Sequence, residues 1–227
     1  MTGTLAYHAP AFAGATPLAA VIAKVRAYRW DGTVTLGSAV QTAPGRFVTN
    51  CHVVSGAERT EIVHDASKLP AKVDAADVYH DLCILHTAKS PGAPAVASEN
   101  VAVGDPVTAV GFPGGGDIAV THGHVVALHE YDGAKVIQIS APFDAGASGG
   151  ALFDSTGRLI GILAFKATAG GPFYFALPVS WLASIGDARR VTSDTYVPFW
   201  QQPYGKLPYF LRVISIQATR AAERSAR

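Results

Sequence analysis

The sequence predicts an all-β fold, and three observations carry that expectation. Gly and Pro number 23 and 14, about one residue in six, which suits many short strands joined by tight turns better than a helical bundle. Short apolar or alternating runs rich in Val and Ile recur along the chain, separated by turn signals such as Asp31-Gly32, Pro44-Gly45, Gly104-Asp105-Pro106, Asp132-Gly133 and Ser155-Thr156-Gly157. Hydrophobic residues make up 49% of the 227 and charged residues 15%, against roughly 25% charged in an average soluble domain, so the bulk of the chain folds. The cadence of strands and turns fits a sandwich or barrel.

Taken in order, Pro17 to Val25 reads as a short helix or the lead-in to a strand. Strands are expected at 33–36, 46–49, 60–63, 81–85, 107–110, 118–121, 124–128, 136–139, 159–164 and 173–177, where apolar or alternating residues cluster. The stretch Lys89 to Glu99 (KSPGAPAVASE) is linker-like in composition. It divides the chain into a first lobe with its N-terminal segment (1–94) and a second lobe (95–188). A short amphipathic helix is expected near 178–188, closing the β region, and 189–227 forms a C-terminal extension. That extension is rich in aromatics and proline: Tyr196, Phe199, Trp200, Tyr204, Tyr209 and Phe210 interleave with Pro198, Pro203 and Pro208. So much apolar surface favours a segment that wraps back over a lobe, ahead of an arm that docks a regulatory partner.

Eighteen Lys and Arg against seventeen Asp and Glu leave a formal charge of +1, so no whole-chain electrostatic footprint for nucleic acid or an anionic membrane exists, and neither is expected as a partner. Cys51 and Cys83 match no zinc-finger spacing. They read either as a disulfide or as two buried thiols, and the frequent use of Cys as a small core hydrophobe favours the thiols. No basic segment followed by an apolar one opens the chain, although Ala11 to Ala15 fits the remains of a processing site. A native start at Met1 implies a cytoplasmic protein, and removal of a signal peptide a periplasmic one.

Chemistry concentrates at Gly146-Ala147-Ser148-Gly149-Gly150. The nucleophile elbow of α/β-hydrolases needs its histidine after the serine, yet all eight histidines precede Ser148. The order His, Asp, Ser is met by His52, Asp81 and Ser148, 29 and 67 residues apart. His52 stands where a strand gives way to a turn, Asp81 opens the apolar run Leu82 to Leu85, and glycines around Ser148 permit a sharp turn and close approach of substrate. Asp74 and Asp77 are weaker candidates for the acid because they lie in polar, loop-like text. His122 and His124 share a face if their segment is a strand, but no third ligand accompanies them, so no metal is expected. His80 reads as a surface neighbour of Asp81, and His64, His86 and His129 read as solvated.

The strings TNCHVV, HDLCIL and GASGGALFD resemble the His, Asp and Ser motifs of chymotrypsin-like serine proteases, and within them the HtrA/Deg branch. VGFPGG, VTHGHVVAL, IQISAPFDAGASGG, GRLIGILAF and FYFALP follow the same pattern in order and spacing, over roughly residues 20 to 185. The resemblance implies two antiparallel β-barrels with the site between them, and a serine endopeptidase without cofactor acting on proteins or peptides. It implies His52, Asp81 and Ser148 as the triad, the N–H groups of Gly146 and Ser148 as the oxyanion hole, and Pro142, Ala164, Phe165, Lys166 and Phe173 near the primary pocket. On that resemblance Phe165 and Phe173 make the pocket shallow and apolar and no acidic residue stands six before Ser148, which points to cleavage after small or medium aliphatic side chains. Ala147 replaces the acidic or amide residue usual in the family, so no pairing there with a new N-terminus is expected. No PDZ-like sequence follows the protease region. The rival reading keeps the fold but makes it a latent, peptide-binding or sensing module that needs a partner.

Overall fold

The computed structural model describes residues 18–167, 172–185 and 197–215. Twelve strands form two closed antiparallel barrels of six, as the family resemblance implied. In the first barrel, β1 (Ile22–Tyr28), β2 (Val34–Ala43), β3 (Arg46–Asn50), β4 (Arg59–His64), β5 (Ser67–Asp77) and β6 (Leu82–Thr87) close in the order β1-β2-β3-β6-β5-β4. In the second, β7 (Pro106–Gly111), β8 (Ala119–Tyr131), β9 (Ala134–Ile139), β10 (Ala151–Asp154), β11 (Leu159–Ala167) and β12 (Phe173–Pro178) close as β10-β11-β12-β9-β8-β7. Closure removes the exposed edges that open sheets must otherwise protect.

Several elements differ from their sequence expectation for reasons of context. Of the run from Pro17 to Val25, the described part splits into one turn of 3-10 helix (Leu18–Val21) and the start of β1, whose inward residues Val25 and Ala27 are fully buried. β5 escapes a pattern reading because only Ala71 and Ala75 of its eleven residues are buried, so Asp74 and Asp77 lie in a strand and not in a loop. The runs expected at 118–121 and 124–128 join into one thirteen-residue strand, β8. Gly123 lies between them, and a Cβ there would come within 2.4 Å of the Ala141 nitrogen, so the glycine permits close packing instead of ending the strand. The helix after β12 is a 3-10 helix over Val179–Ser184.

The segment joining the barrels is docked despite its linker-like composition. Ala95 N–H donates to Gln41 O at 2.8 Å on the first barrel, and Leu159 N–H donates to Val96 O at 2.8 Å on the second. The Gln41 side chain, fully buried, also donates to Ser90 Oγ and Gly92 O at 2.6 and 2.9 Å. A shared core runs from Val40 and Val48 of the first barrel through Phe153, Phe165 and Phe175 of the second to Phe199, Phe210, Leu211 and Ile214 of the C-terminal segment. The described part of the extension therefore wraps back onto the barrels. Tyr196 lies outside the described residues.

Cys51 and Cys83 form a disulfide, with Cα atoms 5.0 Å apart, which corrects the expectation of free thiols. The barrel's strand pairing decides it. β3 pairs with β6 so that Asn50 faces Leu82 and Thr49 faces Cys83, and the chain then turns to bring Cys51 within the range a disulfide spans. Thiol titration of the denatured, unreduced protein should find no free thiol, and reduction should lower stability by about 4 kcal/mol for a loop of 32 residues on the chain-entropy account. Two titratable thiols per chain would contradict the bond.

Candidate active site

The site is built where the barrels meet. Just after β3, the chain makes one helical turn, α1 (Cys51–Val54), whose other side chains Cys51, Val53 and Val54 are buried. This leaves the His52 ring 31% exposed, held from behind yet open in front. Asp81 precedes β6 and is fully buried. Its φ of 60° lies in the left-handed region, a conformation Asp adopts more readily than most residues. That turn points the carboxylate back at the helix. Oδ1 accepts the His52 backbone N–H at 2.7 Å and Oδ2 lies 2.6 Å from His52 Nδ1. The main-chain carbonyl of Asp81 accepts from Asn50 Nδ2 at 3.0 Å and from Cys51 N–H at 3.2 Å. Both ends of the pair are fixed by backbone.

Burial disfavours the charged imidazole, but the Asp81 carboxylate more than offsets it, and the His52 pKa stands above its ordinary 6.5. The His52–Asp81 ion pair therefore stabilises the fold fully below pH 6.5 and loses that contribution as pH rises through the raised value. A base function runs the opposite way, because only the neutral ring accepts a proton.

Ser148 sits between β9 and β10 on a turn fastened to both barrels. Ser38 of β2 donates its N–H to Ser148 O at 2.8 Å and its hydroxyl to Gly146 O at 2.9 Å. The same hydroxyl accepts Phe112 N–H at 2.9 Å. Gly149 has a φ of 85°, and a Cβ there would lie 2.1 Å from Ser38 O, so a glycine is required both for conformation and for space. Gly146, with φ at 94°, is similarly confined, its Cβ falling 2.5 Å from Gly114 N. Ala147 is buried against Gly111, where an added Cβ would lie 3.0 Å from the Ala147 methyl.

The Ala145 carbonyl accepts Gly114 N–H at 2.7 Å. In a trans peptide the next N–H, that of Gly146, points the opposite way. Among the described residues, neither the Gly146 nor the Ser148 N–H has a protein acceptor. The Ser148 hydroxyl donates to Ala164 O at 3.0 Å and makes no hydrogen bond to His52.

The five residues expected at the primary pocket are divided. Ala164, Phe165 and Lys166 line a cavity of about 430 Å3 together with His52 and residues of the C-terminal segment, Trp200 among them. Pro142 lines a smaller one of about 210 Å3 with Thr121, Phe143, Ala147 and Leu163. Phe173 stands on β12 opposite Ala167. Phe165 is stacked on Phe175 at 4.8 Å and on Trp200 at 4.5 Å, which commits it to the His52 side. Lys166 Nζ lies 2.8 Å from Asp144 Oδ1, a contact that raises the lysine pKa and engages the nearest carboxylate.

Other histidines depart from their expectation. His80 is buried, with Nδ1 2.6 Å from Asp77 Oδ2, Nε2 2.9 Å from Asp132 Oδ2 but out of line for a hydrogen bond, and its ring stacked 4.0 Å from Trp181. It bridges the first barrel to the β8–β9 turn of the second, a role that only tertiary packing reveals. His64 is buried with Nε2 2.8 Å from Ala20 O. His129 is half-buried and stacked on Phe210 at 4.4 Å. His122 and His124 hydrogen-bond Thr108 and Ser140 through their Nδ1 atoms. Sequence reasoning misses Ser38 as a site residue; it meets the Ser148 turn across 108 residues, and no local motif marks such a contact.

Two six-stranded antiparallel barrels with a His–Asp pair and a glycine-bound serine at their junction define the chymotrypsin-like class. Residues 37–162 match the trypsin-like peptidase domain, and the chain belongs to that family. A probable periplasmic serine endoprotease DegP-like of Halomonas elongata is 32% identical over 69% of this chain and 35% of its own length. The chain thus spans about a third of that relative. Among solved structures, the active form of the Rv3671c protease from M. tuberculosis shares 26% identity with a TM-score of 0.70, covering 78% of this chain and 86% of that one. The HtrA-type protease AlgW with a tripeptide shares 26% identity with a TM-score of 0.68, over 77% of this chain and 62% of that one.

Proposed function

We propose that this chain is a serine endopeptidase that cleaves through an acyl-enzyme intermediate, with Ser148 as nucleophile, His52 as general base and acid, and Asp81 as the group that orients His52. The observation that carries the reading is the buried Asp81 carboxylate holding both the main chain and Nδ1 of His52, at 2.7 and 2.6 Å. With Nδ1–H donating to Asp81, Nε2 is left free to take a proton. Ser148 turns from Ala164 O toward Nε2 and attacks the peptide carbonyl. His52 then returns the proton to the leaving amine, and water repeats the sequence on the acyl-enzyme. The N–H groups of Gly146 and Ser148 receive the developing oxyanion, each donor lowering the barrier by about 3 kcal/mol.

Cleavage after small or medium aliphatic residues is supported by Pro142 at the position six before the nucleophile and by the Lys166 contact that occupies Asp144, which leave no carboxylate committed to a basic substrate side chain. A periplasmic location is supported by the Cys51–Cys83 disulfide, which persists in oxidising compartments, and by the naming of the DegP-like relatives. Domain limits of 1–94, 95–188 and 189–227 remain the working division.

The latent reading is favoured by two observations, the Ser148 hydroxyl resting on Ala164 O and the Trp200 ring lying edge-on 6.0 Å from His52 in the cavity they share. Reaction with a fluorophosphonate, read by intact mass, separates the two readings. Labelling of the parent and none of Ser148→Ala is expected, with a rate that rises with pH through a midpoint above 6.5, since the raised His52 pKa delays its neutral form. A parent that takes no label from pH 6 to 9 supports latency.

A further inference from the structure

We propose that Trp200 is a specificity-determining residue: with Phe165 and His52 it builds an apolar subsite for the side chain of the second residue on the N-terminal side of the scissile bond. The proposal rests on the endopeptidase reading. Its ground is the roughly 430 Å3 cavity, which has β11 on one side and the C-terminal segment on the other.

The position of the nucleophile sets the register. Ser148 Oγ lies 3.0 Å from Ala164 O, so a chain whose carbonyl carbon reaches the nucleophile passes beside Ala164. β10 pairs with β11 only as far as Ile162, and no described strand flanks 164–167 on that side. An extended substrate laid there turns successive side chains to opposite faces. If the residue under attack enters the primary pocket, its N-terminal neighbour faces His52 and Trp200.

The ring wall of that face is firmly built, while Lys166, Gln201 and Ser215 make other parts of the cavity lining polar. The Trp200 ring is stacked on Phe165 at 4.5 Å with an interplanar angle of 11°, and meets His52 edge-on at 6.0 Å and 87°. Leu211 and Ile214 continue the wall. Phe199, next in sequence to Trp200, is fully buried, and its N–H donates to Tyr79 O at 3.3 Å. Phe199, Phe210, Leu211 and Ile214 belong to the same core as both barrels. A segment rooted in the core is a fixed wall, whereas a removable cover would need an anchor it can release. The side chain that fits is aliphatic and of leucine size, packed against the Phe165 and Trp200 rings.

The test uses calorimetric binding of two blocked heptapeptides to full-length Ser148→Ala protein. Both carry Val as the residue whose carbonyl would be attacked, preceded by Leu in one and Gly in the other. About tenfold tighter binding of the Leu peptide is expected, the scale on which apolar pockets discriminate. Adding Trp200→Ala should abolish the difference and Trp200→Phe should retain it, with thermal midpoints recorded to show that each variant is folded. Equal binding of the two peptides, binding of neither, or a Leu preference unchanged by Trp200→Ala overturns the proposal. So does equal tightening of both peptides in Trp200→Ala, which would make Trp200 a cover. Fluorophosphonate labelling of the Ser148 protein reports the endopeptidase reading separately: labelling without a Leu preference sinks this inference alone, and a Leu preference without labelling sinks only the activity.

Discussion

Asp81→Asn is expected to lower kcat for peptide hydrolysis by about 10⁴-fold, the scale of losing a correctly oriented imidazole in a triad. The geometry states why. The His52 backbone N–H donates to Oδ1 at 2.7 Å, so the oxygen of an asparagine amide would keep that place and its NH2 would face Nδ1. Nδ1 must then accept, which sends the ring proton to Nε2, where it blocks removal of the Ser148 proton. The fold should survive, because asparagine is among the few residues that tolerate the φ of 60° at this position. Main-chain acceptance from Asn50 and Cys51 is untouched by the change. Steady-state hydrolysis and fluorophosphonate labelling, paired with a thermal melt, provide the check. Activity within tenfold of the parent would remove Asp81 from the mechanism.

Phe199→Ala is expected to cost about 4 kcal/mol, within the range for deleting a fully buried aromatic ring. Its ring is surrounded by those of Tyr131 at 4.8 Å, Trp200 at 5.2 Å, Phe165 at 6.0 Å and Trp181 at 6.1 Å. Tyr79 and His80 of the first barrel lie slightly farther, at 6.4 and 6.5 Å. Deletion would leave a void walled by rings that cannot collapse without shifting the His80 bridge between the barrels. For a chain of this size the loss corresponds to a fall in thermal midpoint of roughly 10 °C. A fall of less than about 2 °C would show that the C-terminal segment adds little to the core and that the Trp200 wall is loosely held.

Strands with clear alternation or continuous apolar text are legible in the sequence. β6, β7 and β9 fall where Val, Ile and Leu accumulate, and β12 where Phe173, Tyr174 and Phe175 cluster. β5 is not legible, since one of its faces is turned to solvent and the only residues it buries are Ala71 and Ala75. The triad candidates are marked by order and by their glycine and strand contexts. The state of the cysteines is not, because it depends on the β3–β6 register and on the turn at Asp81. His80, expected as a surface neighbour of Asp81, is a buried bridge because Asp77, Asp132 and Trp181 converge on it from separate parts of the chain.

By itself, then, the sequence determined what is local and periodic: the all-β class, most strands, the order of His52, Asp81 and Ser148, and an aromatic segment too apolar to be left in water. Tertiary structure alone decided which distant groups meet. It brought Ser38 under the Ser148 turn, joined Cys51 to Cys83, turned the Ser148 hydroxyl to Ala164 and set Trp200 against His52. The physical reason is range. Propensity and hydrophobic period act over a few residues, whereas each of these contacts is made only when closure of a barrel, or packing between the two, brings separate segments within a few ångströms.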